Sequence, residues 1–192
     1  MFKIPSFEFD LLWCKRHDIW NIVWLPIVFG LNANFLLQWN LYNETLFVWV
    51  FATYLILDLF WILIKPCSVS APITIVLHHL VTISGALLIP YTTETVKTAI
   101  CMASMVELNT WFRMLKKIFK QYETVLDVLF IISWILIRCI IGPYVQYILT
   151  LECFYCCTFA NILLVLCGAF LNGLSVMWTA ELLVVVRKRY FY

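Results

Sequence analysis

Residues 72–91 read PITIVLHHLVTISGALLIPY, an apolar run bounded by Pro72 and Pro90 that carries two adjacent histidines, His78 and His79. An α-helix rises 1.5 Å per residue, so about 20 such residues cross the ~30 Å hydrocarbon core of a bilayer. The apolar positions are continuous rather than alternating, which favours a helix over a barrel strand. Five further runs of the same kind cover residues 19–39, 45–64, 95–115, 125–149 and 159–186, and Glu107, Asn109 and Arg113 interrupt the one at 95–115. Asn43, Pro66, Ser68, Pro72 and Pro90 stand between the runs or at their edges, where turns belong. The expected fold class is an all-α membrane protein of about six transmembrane helices in one bundle.

Composition excludes the main alternative. Of 192 residues 64% are hydrophobic and 12% charged, with a mean hydropathy of +0.94, whereas a soluble domain carries roughly 25% charged residues. Lipid is the solvent that fits. A formal net charge of +2 with no basic arm argues against nucleic acid as a partner. Most of the eight cysteines lie in apolar runs, while Cys153, Cys156 and Cys157 cluster in a short connection and read as membrane-proximal thiols, with a disulfide on an oxidising face as the alternative. The first apolar run starts near residue 19 and is too long for a cleavable signal peptide. Residues 1–18 mix aromatics with charges and are expected along the membrane surface, residues 19–187 in the transmembrane domain, and residues 188–192 in a short tail.

Charge placement gives the runs a direction. Lys3, Lys15 and Arg16 precede the first run, Lys65 follows the second, Lys116, Lys117 and Lys120 follow the fourth, and Arg187, Lys188 and Arg189 follow the last. The remaining connections hold Lys97 alone. Six spans with both termini cytoplasmic satisfy this pattern.

Ionisable groups inside spans cost about 2.5–3.5 kcal/mol each and need a reason. Asp58 lies seven positions before Lys65, His78 and His79 six and seven after Pro72, Glu107 six before Arg113, and Glu181 six before Arg187. All then fall roughly 9–11 Å inside the cytoplasmic boundary, on four helices. A shared polar cavity follows, with Arg138 deeper and available to neutralise an acid or meet a polar lipid group. Thr82 shares a stripe with the histidines, and Asn109 with Arg113. A neutral imidazole beside a carboxylate has the chemistry of a general base or nucleophile. Three histidines are too few for a di-iron membrane hydroxylase. A single metal on His78 or His79 with Asp58 and Glu107 is chemically allowed, but no metal and no cofactor is expected.

The block LHHLVTISGALLIP at 77–90, preceded by YLILDLFWILIKP at 54–66 and followed by MVELNTWFRMLKK at 105–117, resembles the TLC domain of TRAM proteins, ceramide synthases and related proteins. The resemblance implies a helical barrel around a lipid-accommodating tunnel with the histidines inside, in the endoplasmic reticulum or related membranes. His78, His79 and Thr82 match the start of the ceramide synthase motif. At 106–109 the chain reads Val-Glu-Leu-Asn, without the His-Asp-x-x-Asp group that ends that motif. This form is similar to the family's non-synthase branch, whose members are linked with membrane lipid composition and sphingolipid balance.

Two functions remain open at this point. One is acyl transfer from acyl-CoA, as co-substrate, to a long-chain base, with His78 or His79 as base or acyl carrier, Asp58 and Glu107 orienting it, and Thr82, Asn109, Arg113, Arg138 and Glu181 contacting substrate. The other is a non-enzymatic lipid-binding regulator of membrane composition or lipid trafficking, in which the same cluster holds a lipid head group; sphingolipid or ceramide metabolism is the setting the resemblance implies. Membrane lipids are partners in both, and an oligomer is compatible with either.

Overall fold

The structure, a computed structural model, describes residues 6–36 and 43–191. The expectations resting on Lys3, on the first connection and on the side chain of Arg189 lie outside the described residues. Within them every regular element is helical: α1 Ser6–Leu36, α2 Asn43–Ile64, α3 Pro72–Leu88, α4 Glu94–Ser104, α5 Glu107–Ile118, α6 Glu123–Trp134, α7 Gly142–Tyr155 and α8 Phe159–Phe191. Four stretches are long and apolar enough to cross a membrane: Leu46–Ile64, Pro72–Tyr91, Lys120–Tyr155 and Phe159–Lys188. α1, which runs without a break from Ser6 through Pro26, and the α4–α5 pair are not among them. Trp49, Phe60, Ile73, Phe154 and Val176 are exposed on the outer faces, as suits helices surrounded by lipid.

The fourth apolar run is two helices rather than one, and the cause is a side chain competing with the backbone ladder. Ser104 Oγ donates to Cys101 O at 2.8 Å, and Asn32 Nδ2 from α1 donates to the same carbonyl at 2.8 Å. Cys101 O is the acceptor that Met105 N–H would use in an α-helix. Met105 N–H turns instead to Met102 O at 3.2 Å, and Val106 N–H to Ala103 O at 3.1 Å. The chain tightens there and restarts as α5 with Glu107 in its first turn, where a carboxylate suits the helix dipole.

A second irregularity joins α6 to α7. Residues Ile135–Ile141 form a π turn. Pro143 has no N–H to give to Cys139 and its ring crowds that carbonyl, so the ladder widens by one residue. Gly142 N–H accordingly bonds Ile137 O. Gly142 also lets α8 approach, since a Cβ there would lie 2.9 Å from Asn172 Oδ1.

Packing follows the apolar faces. Leu25 and Val28 of α1 meet Phe47, Phe51 and Leu55 of α2 and Cys101 of α4 in one buried cluster, and Val96, Ala99, Val145, Leu149 and Leu164 join α4, α7 and α8 in a second. α2 packs on α1 and α3, α3 on α8, α8 on α7, α7 on α4, and α4 and α5 on α1, so the succession of neighbours returns to its start. Asn32 is the polar pin of that last contact: it is 1% exposed and also donates to Ser104 Oγ at 2.8 Å. Asn32→Ala leaves Ser104 and Cys101 short of a donor and is expected to cost about 1–3 kcal/mol. A lower thermal midpoint in detergent, with Ser84→Ala on the exposed face of α3 as neutral control, checks this.

Candidate functional site

One carboxylate gathers three helices. Asp58 of α2 accepts from His79 Nε2 on its Oδ2 at 2.8 Å and from His17 Nε2 on its Oδ1 at 2.8 Å. Asn21 Nδ2 donates to the same Oδ1 at 3.3 Å, and Tyr54 Oη donates to Asn21 Oδ1 at 2.6 Å. All five side chains are buried. The ring of Trp61 leans on His17 with centroids 5.7 Å apart. His79 Nδ1 lies 2.9 Å from Ile75 O, so both nitrogens of His79 are engaged.

His78, one residue earlier, is turned about 100° around the helix and meets different neighbours. Its Nδ1 has no partner, its Nε2 is 3.9 Å from Glu107 Oε1, and its ring stands edge-on to Trp178 of α8 at 5.7 Å. That carboxylate distance is too long for a hydrogen bond, and a small shift of Glu107 would close it. The sequence expectation that Asp58 and Glu107 orient one imidazole is therefore divided: Asp58 holds His79, and Glu107 faces His78.

A cavity of about 620 Å³ is lined by Asp58, His78, His79, Glu107, Asn109, Arg113, Arg138 and Glu181 among others. It reaches the end of the bundle formed by the α2–α3 connection and the ends of α5 and α8, where Ser68, Ser70, Lys116, Lys117 and Val186 line it. Beyond it lies a smaller apolar pocket of about 110 Å³, with Val81, Gly85, Ile137 and Leu164 in its wall. Among the described residues, His78 and Arg138 line both. Thr82 faces the apolar pocket alone, and its hydroxyl donates to His78 O at 2.7 Å.

The other expected site residues are tied to varying degrees. Asn109 Nδ2 donates to Ser133 Oγ at 2.7 Å while its Oδ1 is unpartnered. Arg113 reaches Ser70 Oγ at 3.4 Å, and Glu181 borders the cavity from an exposed position on α8. Lys116 is held by Asp127 and Glu123, and Lys117 by Asp18 at 2.7 Å. Sequence reasoning missed His17, Asn21, Tyr54, Trp134 and Trp178. His17 was expected at the membrane surface, yet it is 1% exposed. The i, i+4 spacing of His17 and Asn21 was the available signal, since it marks one helix face. Cys153, Cys156 and Cys157 are unbridged. Among the described residues no group of three His, Cys, Asp or Glu side chains is set to hold a metal.

A profile of the TLC domain matches residues 11–184. The chain belongs to the TLC-domain family. These are membrane proteins linked to lipid metabolism or sensing, and the match covers most of every helix that lines the two cavities. No curated protein and no solved structure matches the chain.

The two histidines should separate by variant. Asp58→Ala strands two buried imidazoles and is expected to cost about 3–5 kcal/mol. His78→Asn removes a ring with no hydrogen bond of its own and should cost about 1 kcal/mol. Thermal unfolding of the purified variants reads the difference, and equal losses would show that His78 is as structural as the Asp58 network.

Proposed function

We propose that this TLC-domain protein places an acyl chain in the apolar pocket with its reactive carbonyl at His78, and transfers it from acyl-CoA to a long-chain base. The supporting observation is that His78 lines both the polar cavity and the apolar pocket. A thioester carbonyl sits at such a junction when its chain is apolar and its leaving group polar. His78 takes the proton of the acceptor amine or hydroxyl as that group attacks the carbonyl, and returns it to the departing CoA thiolate. Glu107 supports the imidazolium between the two transfers. With Lys116 and Lys117 engaged by carboxylates, Arg113 at the cavity wall is the cation best placed for a CoA phosphate.

In this reading the chain spans the endoplasmic reticulum membrane six times, as a barrel with both termini in the cytoplasm, and the cavity opens to cytosolic acyl-CoA. The basic residues around the α2–α3 and α5–α6 connections support that direction. General acid–base removal is worth 10²–10⁴-fold. Purified protein supplied with acyl-CoA and a panel of long-chain bases should therefore lose turnover by at least about 100-fold on His78→Ala. Absence of turnover in the wild-type protein with every base would sink the enzymatic reading.

A non-enzymatic lipid regulator is the second reading. The 3.9 Å gap between His78 and Glu107 and the Val-Glu-Leu-Asn segment at 106–109 favour it, because a binding site needs no aligned base. It predicts that cells expressing His78→Ala differ from wild type in sphingolipid profile although the purified protein turns over no acyl-CoA. Identical profiles would remove it.

A further inference from the structure

Among the described residues Arg138 is the strongly basic group at the junction of the two cavities, and neither transfer chemistry nor packing accounts for its surroundings. It sits on the π turn, near the middle of the Lys120–Tyr155 span. Trp134 and Trp178 bracket its guanidinium, with ring centroids 4.5 and 4.9 Å from Cζ. Nη1 donates to Ser175 Oγ at 3.0 Å, while Nε is shielded from solvent and has no partner. Among the described residues no carboxylate pairs with it; the nearby Glu107 faces His78, 3.9 Å from its Nε2.

The two indoles hold the guanidinium by cation–π attraction and fix its plane, but they leave its positive charge intact. A guanidinium has five N–H donors in a rigid fork that matches two oxygens of an anion. A cation at this depth in a membrane is costly unless an anion meets it. Arg138 borders the polar cavity on one side and the apolar pocket on the other, so an anion can reach it from the polar side while apolar space lies next to it. An anion that carries a hydrocarbon tail therefore finds both its charge partner and its apolar space at this one residue.

We propose that Arg138 is the anchor for the anionic oxygens of a single-chain amphiphile, a carboxylate or a phosphate monoester, whose first carbons enter the apolar pocket past Gly85. The site shares with the acyl-transfer reading only the placing of a chain in that pocket, and binding measured without acyl-CoA tests it apart from turnover. Gly85 offers an independent handle. A Cβ there meets only Leu164 Cδ2, at 3.9 Å, whereas one at Gly142 or Gly168 would crowd Asn172 or Gln146. Gly85 thus accepts a Cβ without a clash, and the remaining atoms of Gly85→Leu take up space in the pocket it lines.

The test is equilibrium binding of radiolabelled oleate, methyl oleate and oleoyl lysophosphatidate to the purified full chain in detergent. Wild type should bind at least one anionic ligand about tenfold or more tighter than methyl oleate. Arg138→Gln should bring that ligand down to the methyl oleate level while methyl oleate binding is kept, which also shows that the variant folds. Gly85→Leu should weaken all three. Preference for lysophosphatidate over oleate assigns a phosphate, and the reverse a carboxylate. Equal binding of the three ligands by wild type, or an anion preference that survives Arg138→Gln, would overturn the proposal. Unchanged binding in Gly85→Leu would overturn the placing of the tail.

Discussion

An ionisable carboxylate on a transmembrane helix must be surrounded by donors, and Asp58 obtains them from both flanking helices. His17 and Asn21 come from α1 and His79 from α3, so the three helices cannot slide or rotate independently without stranding a polar group away from water. Tyr54, one turn earlier on α2, extends the network by donating to Asn21. Apolar packing between helices in lipid supplies little orientation, because lipid tails are as apolar as the leucines they replace. The hydrogen bonds to Asp58 therefore set the rotation of α3, and with it the direction in which the adjacent His78 points.

Backbone irregularity does the remaining positioning. In hydrocarbon an unpaired peptide group is expensive, so departures from the α-helical ladder occur only where other groups replace the lost bonds. At the α4–α5 break Asn32 and Ser104 satisfy Cys101 O and i→i+3 bonds satisfy the next amides. The break turns Glu107 toward His78, which a straight helix through residues 95–115 would not need to do. At the π turn the extra residue rotates Arg138 relative to α6 and gives it to the space between Trp134 and Trp178. Both irregularities border the cavity, consistent with the general concentration of such features at functional sites.

Most of the fold was legible because the solvent is lipid. Continuous apolar runs and their proline edges located α2, α3, the α6–α7 stretch and α8 to within a few residues, since length and hydropathy decide them locally. The depth argument from Lys65, Pro72, Arg113 and Arg187 brought Asp58, His78, His79, Glu107 and Glu181 to one level, and these residues line one cavity. The α4–α5 break was not legible. It depends on Asn32, 69 residues from Cys101 in sequence, and hydropathy carries no information on such a contact. His17 was misplaced for a related reason: three charged neighbours, Lys15, Arg16 and Asp18, mark the segment as surface, while its own partner lies on another helix.

Adjacent histidines look equivalent in a sequence, and helix geometry makes them unequal. A step of about 100° separates their side chains, enough to put one against Asp58 and the other against Glu107 and Trp178. His79 has a carboxylate on one nitrogen and a backbone carbonyl on the other, so it offers a ligand neither a lone pair nor a free N–H. His78 keeps Nδ1 unpartnered at the boundary between the polar cavity and the apolar pocket. A buried polar atom left open in an otherwise satisfied network is costly unless something fills the site. The division also explains why the pair is adjacent rather than spaced by a turn. Residues four apart would share a face and compete for Asp58, whereas neighbours let one lock the helix while the other faces whatever lipid enters.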